Sequence, residues 1–174
     1  MCGETGDAIR TVSRRDPDPW RYRGPHAQRV VGRRRRRRRG SVLILLDTHV
    51  LLWHGRGDRR LGQGARRMIE RALPRRRAAI SAISFWEIAM RVHSGRLDLL
   101  MEPEALRRDL LAQGLVEIPV SGLIGVRAGR LPGLHGDPAD RLIVATALEG
   151  YELLTADRRI LDWSGQLNRF DATE

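Results

Sequence analysis

The chain has 174 residues, with 32 basic side chains against 21 acidic ones and a formal net charge of +11. This length fits one ordinary domain with or without a tail, and it excludes a multidomain or collagen-like protein. All 32 basic residues are arginine, and 13 of them fall in residues 1–40, where four acids leave a net charge of +9. The remaining 134 residues hold 19 arginines against 17 acids, so they carry only +2.

Residues 1–40 have the composition of a tail and not of a folded domain. They contain three prolines, five glycines and a block of seven arginines at 33–39, with almost no apolar periodicity. Such a segment cannot bury enough apolar surface to offset its ordering entropy, so we expect it to be disordered. Arginine without lysine is also typical of GC-rich coding bias, and a second hypothesis is that the natural chain starts near Val42.

Cysteine content and apolar runs indicate the compartment. The single cysteine, Cys2, excludes an internal disulfide framework. No apolar run approaches the roughly 18 residues that a membrane span requires. No apolar segment follows the N-terminal arginines, as it would in a secretory signal. The sequence therefore predicts a soluble, cytoplasmic protein that does not bind a membrane.

From Ser41 onward, short aliphatic runs alternate with amphipathic segments. The aliphatic runs predict strands, and apolar residues at helical spacing predict helices. The predicted strands are 42–46, 78–82, 116–118 and 152–154, and the predicted helices are 48–54, 65–73, 84–93, 103–113, 122–129, 138–148 and a short one from 158. This alternation indicates an α/β fold with a mostly parallel sheet covered by helices on both faces.

Acidic residues recur at the predicted carboxyl ends of the strands, where parallel α/β folds bind their ligands. Asp47 directly follows the first strand, and Asp157 lies just beyond the fourth. Glu87 and Asp140 lie in the predicted first turns of two helices. Carboxylates gathered in one cleft repel one another, and a divalent cation resolves this conflict. Mg²⁺ and Mn²⁺ prefer such oxygen ligands and support phosphodiester hydrolysis.

Each acid also has a purely structural interpretation. Ser84 and Glu87 match a capping box, and Asp137 and Asp157 are suited to N-cap positions. Taken singly, these acids are more often caps than ligands. An acid that ends a five-residue aliphatic strand, as Asp47 does, is poorly explained by capping alone. The two interpretations are also compatible, because a capping carboxylate already lies at the edge of the sheet.

Four segments follow one another along the chain and carry a family resemblance: Leu45–Trp53, Ser84–Ala89, His135–Ala147 and Leu153–Asp157. They resemble the signature segments of PIN-domain ribonucleases, which stand in the same order. Among these, the VapC-type toxins of bacterial type II toxin–antitoxin systems are the most similar subgroup. The resemblance spans residues 42–171, and it implies that 41–174 form a PIN-like α/β/α domain with a small, mostly parallel sheet.

The resemblance implies a Mg²⁺- or Mn²⁺-dependent endoribonuclease that a cognate antitoxin inhibits. It assigns four acids as catalytic and metal-binding residues: Asp47, Glu87, Asp140 and Asp157. Asp137 is a further candidate ligand of lower rank, and Arg141 is a candidate contact for RNA phosphates. The implied partners are an RNA substrate, the antitoxin and a second copy of the chain, in a homodimer or a toxin–antitoxin hetero-oligomer.

The histidines and hydroxyls near these acids have less specific expected roles. We expect His49 and His135 to be satisfied surface or core histidines, because hydrolysis with two metal ions does not require a general base. Local capping is the expected role of Thr48, Ser84 and Thr155.

Two other functions stay open at the level of sequence. The chain could be a noncatalytic RNA- or partner-binding module in which the acids are caps and the arginine-rich tail supplies affinity. Binding would then depend on residues 1–40 and not on Mg²⁺. A phosphatase of the haloacid dehalogenase type would also have an aspartate at the end of its first strand. It would require a second acid two residues later, where this chain has His49.

Overall fold

The computed structural model describes residues 43–174, and the predicted tail of residues 1–40 lies outside that part. The described residues contain five strands, all of them parallel: β1 (Ile44–Leu46), β2 (Ala78–Ser81), β3 (Val116–Ile118), β4 (Glu152–Thr155) and β5 (Arg169–Asp171). Their order in the sheet is β3-β2-β1-β4-β5, so β1 is the central strand. Leu46 of β1 is in register with both Ile80 and Leu154, which brings the carboxyl ends of three strands side by side.

Helices cover both faces of this sheet. The described residues form seven α-helices: α1 (Thr48–Arg56), α2 (Gln63–Ala72), α3 (Ala82–His93), α4 (Pro103–Ala112), α5 (Gly122–Gly129), α6 (Pro138–Ala147) and α7 (Arg158–Leu161). Side chains alternate between the faces of a strand. Ile44 and Leu46 therefore pack against α1 to α4, whereas Leu45 packs against α5, α6 and α7. The predicted three-layer α/β/α fold is confirmed.

The strands consist of aliphatic side chains because both of their faces are covered. Leu45, Ile80 and Leu153 have no exposed surface. Each such side chain contributes roughly 2 kcal/mol of hydrophobic stabilisation. A parallel strand without a solvated face has no polar positions to alternate with apolar ones. Within residues 43–174, no helix combines the length and the apolar composition that crossing a bilayer requires.

Two elements differ from the sequence prediction. Helix α3 begins at Ala82 and not at Ser84, so its N-cap is Ser81 and the capping box of Ser84 and Glu87 does not form. Glu87 consequently lies in the second turn of the helix and not in the first. Strand β5 was not predicted, because its three half-buried residues, Arg-Phe-Asp, form no aliphatic run.

Gly114 links α4 to β3 at a point where the backbone of another segment approaches closely. Its φ of 102° lies in the left-handed region. A Cβ atom here would lie 2.3 Å from the carbonyl oxygen of Leu73, a backbone atom at the end of α2. We expect Gly114→Ala to lower the free energy of unfolding by more than the about 1–2 kcal/mol that left-handed strain alone costs.

The matched control for Gly114→Ala is Gly95→Ala. Gly95 also has a positive φ, of 67°, but a Cβ atom there meets no atom of the described residues within 4 Å. Urea denaturation of the two variants measures the difference in unfolding free energy. Equal losses in both would contradict the steric explanation for Gly114.

Candidate metal centre

Asp47 and Thr155 join the adjacent carboxyl ends of β1 and β4. Both residues are buried, at 3% and 0% exposure. Thr155 Oγ1 donates a hydrogen bond of 2.7 Å to Asp47 Oδ2 and accepts one of 3.1 Å from the backbone amide of Asp157. Asp47 stands at the N-cap position of α1, but its side chain accepts no capping hydrogen bond from a backbone amide of that helix. The carboxylate is therefore held at the edge of the sheet, and no capping hydrogen bond occupies its oxygens.

Asp140 and Asp157 lie together beside a histidine. Each of His135, Asp140 and Asp157 offers one ligand atom, and these atoms all lie within 4.8 Å of one another. Asp140 is in the first turn of α6, and Asp157 is the N-cap of α7. The three side chains are between 17% and 20% exposed, so the group is open to solvent on one side.

The charges of the predicted acids converge on Asp140. Its pKa is raised from 3.8 to about 7, first by burial and then by the negative charges of four neighbours: Asp47, Asp137, Asp157 and Glu87. The negative charges of these neighbours therefore outweigh the positive charge near Asp140. Carboxylate oxygens are also the ligands that Mg²⁺ and Mn²⁺ prefer. The donor set in this cleft therefore fits a hard divalent cation.

Glu87 contributes charge to this cleft from α3. Its carboxylate forms an ion pair with Arg91, one turn later on the same helix, and its side chain is 17% exposed. The expected capping role of the hydroxyl of Ser84 is wrong, because this hydroxyl is buried inside α3 and has no hydrogen-bond partner among the described residues. The hydroxyl of Thr48, at the start of α1, is also buried and has no hydrogen-bond partner among the described residues.

Two other acids cap helices and face the cleft at the same time. Asp137 Oδ1 accepts hydrogen bonds from the amides of Ala139, at 2.9 Å, and Asp140, at 3.3 Å. Asp157 Oδ1 accepts one of 2.8 Å from the amide of Arg159. The capping roles predicted for Asp137 and Asp157 are confirmed, and both charges still act on Asp140. Capping here orients a carboxylate without removing its charge from the site.

Arg159 is a basic residue of the site that the sequence pattern did not reveal. Its guanidinium lies 2.8 Å from Asp157 Oδ2 and 3.6 Å from Asp140 Oδ2, and its side chain is 61% exposed. The side-chain hydrogen bond from Arg159 is the main reason that the pKa of Asp157 lies below its ordinary value. The signal that could have found it is its position two residues after an N-cap aspartate.

Arg141 has a different environment from the one predicted. Its guanidinium donates hydrogen bonds to the backbone carbonyls of four residues, at 2.8 to 3.3 Å: Ala128, Leu131, Leu134 and His135. These carbonyls lie at the end of α5 and along the loop that leads to α6. The bonds occupy the guanidinium, so Arg141 braces this loop. The predicted contact of Arg141 with RNA phosphates finds no support in this geometry.

Replacing Arg141 by lysine should cost stability. A lysine ammonium is a point charge and cannot reach four carbonyls that surround a planar guanidinium. We expect Arg141→Lys to lower the free energy of unfolding by about 2–4 kcal/mol, as lost hydrogen bonds to a charged group would. The exposed Arg108 on α4 gives the control, Arg108→Lys, which should be near neutral. Chemical denaturation measures both, and an unchanged Arg141→Lys variant would contradict the bracing role.

Ionisation of Asp140 should destabilise the protein when no metal is bound. Its pKa is 3.8 in the unfolded chain and about 7 in the folded one. The folded state therefore binds more protons between these values, and its stability falls as the pH rises through them. In EDTA at about pH 8, we expect Asp140→Asn to unfold with a free energy about 1–4 kcal/mol above that of the parent.

Asp58→Asn is a control variant for which the expected change in stability has the opposite sign. The ion pair with Arg60 lowers the pKa of Asp58 to about 2, so its charge stabilises the folded state at pH values above the ordinary pKa of aspartate. Calorimetry between about pH 4 and 8 should show a gain for Asp140→Asn and a loss for Asp58→Asn. A loss of stability in Asp140→Asn at high pH would show that the cleft does not have the expected electrostatics.

Known proteins share both the sequence and the fold of this domain. Residues 44–164 match the family model of the PIN domain. The chain is 37% identical over 119 residues to Ribonuclease VapC22 of Mycobacterium tuberculosis (strain ATCC 25618 / H37Rv), a match that covers 67% of this chain and 88% of that protein.

Three solved structures illustrate the likeness of fold. A toxin–antitoxin complex from Klebsiella pneumoniae has a TM-score of 0.51 at 23% identity and covers 74% of this chain and 97% of its own. DNA-bound VapBC from Salmonella typhimurium has a TM-score of 0.56 at 16% identity, with 75% and 98% covered. VapBC2 from Rickettsia felis, bound to a DNA fragment from its promoter, has a TM-score of 0.54 at 18% identity and covers 74% of this chain and 98% of its own. Because the family model of the PIN domain covers residues 44–164, more than half of the chain, the chain belongs to the PIN-domain family.

Proposed function

We propose that this protein is a VapC-type toxin: a cytoplasmic, Mg²⁺- or Mn²⁺-dependent endoribonuclease that a cognate antitoxin inhibits. The observation that carries the proposal is the group of His135, Asp140 and Asp157, whose ligand atoms lie within 4.8 Å of one another. Burial and then the negative charges of four neighbouring acids raise the pKa of Asp140 to about 7. The 37% identity to a ribonuclease supports RNA as the substrate. The VapBC complexes among the similar folds support an antitoxin partner, and with it a homodimer or a hetero-oligomer.

The proposed metal ligands come from four elements that meet at one edge of the sheet. Asp47 follows β1, Asp140 lies on α6, Asp157 follows β4 and Glu87 lies on α3. Asp137 ranks below these four, because its side chain is exposed whereas the four are buried or half-buried. When bound, a divalent cation supplies positive charge to the phosphate and lowers the pKa of the water that attacks it.

The contribution of the protein itself is to hold the carboxylates in place before substrate arrives. The hydroxyl of Thr155 donates a hydrogen bond to Asp47 and accepts one from the backbone amide of Asp157, so it fixes both residues. Groups held in this way need no reorganisation when the reaction begins. The side chains of Asp140 and Asp157 are partly exposed, which leaves one side open for RNA and water.

The charge of the domain is consistent with recognition through a cation. Residues 41–174 carry a net charge of only +2. Four carboxylates in one cleft would repel a phosphate group unless a cation stood between them. Affinity for RNA should accordingly depend on the divalent ion and not on a basic surface of the domain.

Asp47→Asn tests this function, because it keeps the shape of the side chain and removes one charge. We expect RNA cleavage to fall by about 100-fold or more, since the cation supplies several kcal/mol of transition-state stabilisation. Growth inhibition on expression should disappear as well. EDTA should abolish cleavage by the parent protein, and Mg²⁺ or Mn²⁺ should restore it. RNA fragments resolved on gels measure cleavage, and growth curves measure inhibition.

The control variant is Glu149→Gln. Glu149 is an exposed acid just beyond the end of α6 farther from Asp140, and it pairs with Arg127. This variant should cleave RNA as the parent does. Full cleavage by Asp47→Asn in the presence of EDTA would refute the metal-dependent mechanism. Co-expression with the cognate antitoxin should relieve growth inhibition by the parent.

A further inference from the structure

His49 and His135 lie beside the two carboxylates at the centre of the site. In each ring, one nitrogen accepts a hydrogen bond from a backbone amide. The amide of Ala156 donates to His49 Nε2 at 3.0 Å. The amide of Asp137 donates to His135 Nδ1 at 3.4 Å.

These backbone contacts determine which nitrogen carries the proton. A backbone N–H can only donate, so the nitrogen that accepts from it has no proton. In the neutral ring, His49 is therefore protonated at Nδ1 and His135 at Nε2. The protonated nitrogens lie 3.3 Å from Asp47 Oδ1 and 3.4 Å from Asp140 Oδ2. The two histidines thus turn N–H groups toward two carboxylates, and they do so as opposite tautomers.

We propose that His49 and His135 are positioning residues, which hold Asp47 and Asp140 for metal binding through Nδ1–H and Nε2–H respectively. The proposal rests on the proposed metal-dependent function. Distances of 3.3 and 3.4 Å are long for hydrogen bonds, and such bonds in ligand-free sites commonly shorten when the ligand arrives. A carboxylate oriented by an outer partner binds metal more tightly than one that is free to rotate.

The ring of His49 and the backbone of His135 have further contacts. The ring of His49 packs edge-on against Trp53, with the ring centroids 4.8 Å apart, and Arg60 covers the indole at 4.8 Å. The backbone of His135 is fixed by Arg141, which donates 3.3 Å to its carbonyl oxygen. A histidine that only filled space would not need an orientation fixed on both sides. These contacts favour a role in which the direction of the N–H matters.

Direct ligation by His135 is the competing explanation. Its Nε2 is buried and has no hydrogen-bond partner of good geometry among residues 43–174, and with Asp140 and Asp157 it forms a group able to hold an ion. A ligating Nε2 must lose its proton, which would move to Nδ1 and face the amide of Asp137. Two N–H groups would then point at each other. The contact with Asp137 therefore favours positioning over ligation.

Crossed substitutions test the donor role. An asparagine amide stands close to the place of Nδ1, and a glutamine amide close to that of Nε2. His49→Asn and His135→Gln therefore keep the donor, whereas His49→Gln and His135→Asn lose it. We expect calorimetry with Mn²⁺ alone to show affinity reduced about tenfold or more in the second pair and within about threefold of the parent in the first.

His93→Gln is the control, since His93 is exposed at the end of α3 and should not affect Mn²⁺ affinity. Thermal denaturation without metal shows whether each variant folds. Equal losses of affinity in all four variants of His49 and His135 would overturn the donor role. If any variant fails to fold, the tautomers of the parent protein decide the question.

Nitrogen-15 NMR of the imidazole rings reads these tautomers directly. Burial lowers the pKa of His49, but the hydrogen bond with Asp47 and the charges of Asp47, Asp157 and Asp140 together raise it by more, so the net pKa lies above its ordinary value. Spectra are therefore recorded at about pH 9, well above the ordinary pKa of histidine. We expect Nδ1–H at His49 and Nε2–H at His135, with and without Mg²⁺.

A change of His135 to Nδ1–H on addition of Mg²⁺ would make this residue a ligand and overturn the proposal. Neither calorimetry nor NMR uses RNA. A protein that shows both tautomers and the crossed pattern of Mn²⁺ affinity, but does not cleave RNA, would refute the proposed function and leave this inference intact.

Discussion

The hydrogen bond from Thr155 to Asp47 determines the geometry of the site. A carboxylate that is almost completely buried requires partners, because an unpaired buried charge is strongly destabilising. The hydroxyl of Thr155 supplies one, and the same oxygen accepts from the amide of Asp157. One side chain thus sets the distance between two acids that come from different strands. His49 adds a second link, from Asp47 to the amide of Ala156.

Much of the fold could be predicted from the sequence, because the strands of a parallel sheet covered on both faces consist of consecutive aliphatic residues, which are easy to recognise. The strands around Leu45, Ile80 and Leu153 are of this kind. Strand β5 could not be found in the same way, since it lies at the edge of the sheet and holds only one apolar residue, Phe170. The start of α3 was predicted two residues too late, because Ser84 is a residue type typical of N-caps. In the structure, α3 follows β2 directly and begins at Ala82.

The acids of the site were predictable as a set, but their surroundings were not. An acid that follows a buried strand is visible in the sequence, as is a proline-led helix start such as the one before Asp140. The roles of Arg141 and Arg159 depend on contacts that only the folded chain creates. Arg141 meets carbonyls up to 13 residues earlier, and no local pattern distinguishes such a bracing arginine from one that binds phosphate. The tautomers of the histidines likewise depend on backbone amides that the sequence does not position.

The central place of β1 has a consequence for how the protein becomes active. Asp47 and Thr155, which hydrogen-bond across the site, are separated by 108 residues along the chain. Contacts between such distant segments form late, because the entropy of closing a long loop is lost before the contact contributes any stabilising free energy. A nascent chain that has emerged only as far as α6 already contains Asp47, Glu87 and Asp140, yet it lacks β4, whose Thr155 hydrogen-bonds Asp47. The cleft is completed only after β4 has been synthesised and has docked beside β1, so the geometry of the sheet delays the appearance of the assembled site until translation of the domain is nearly finished.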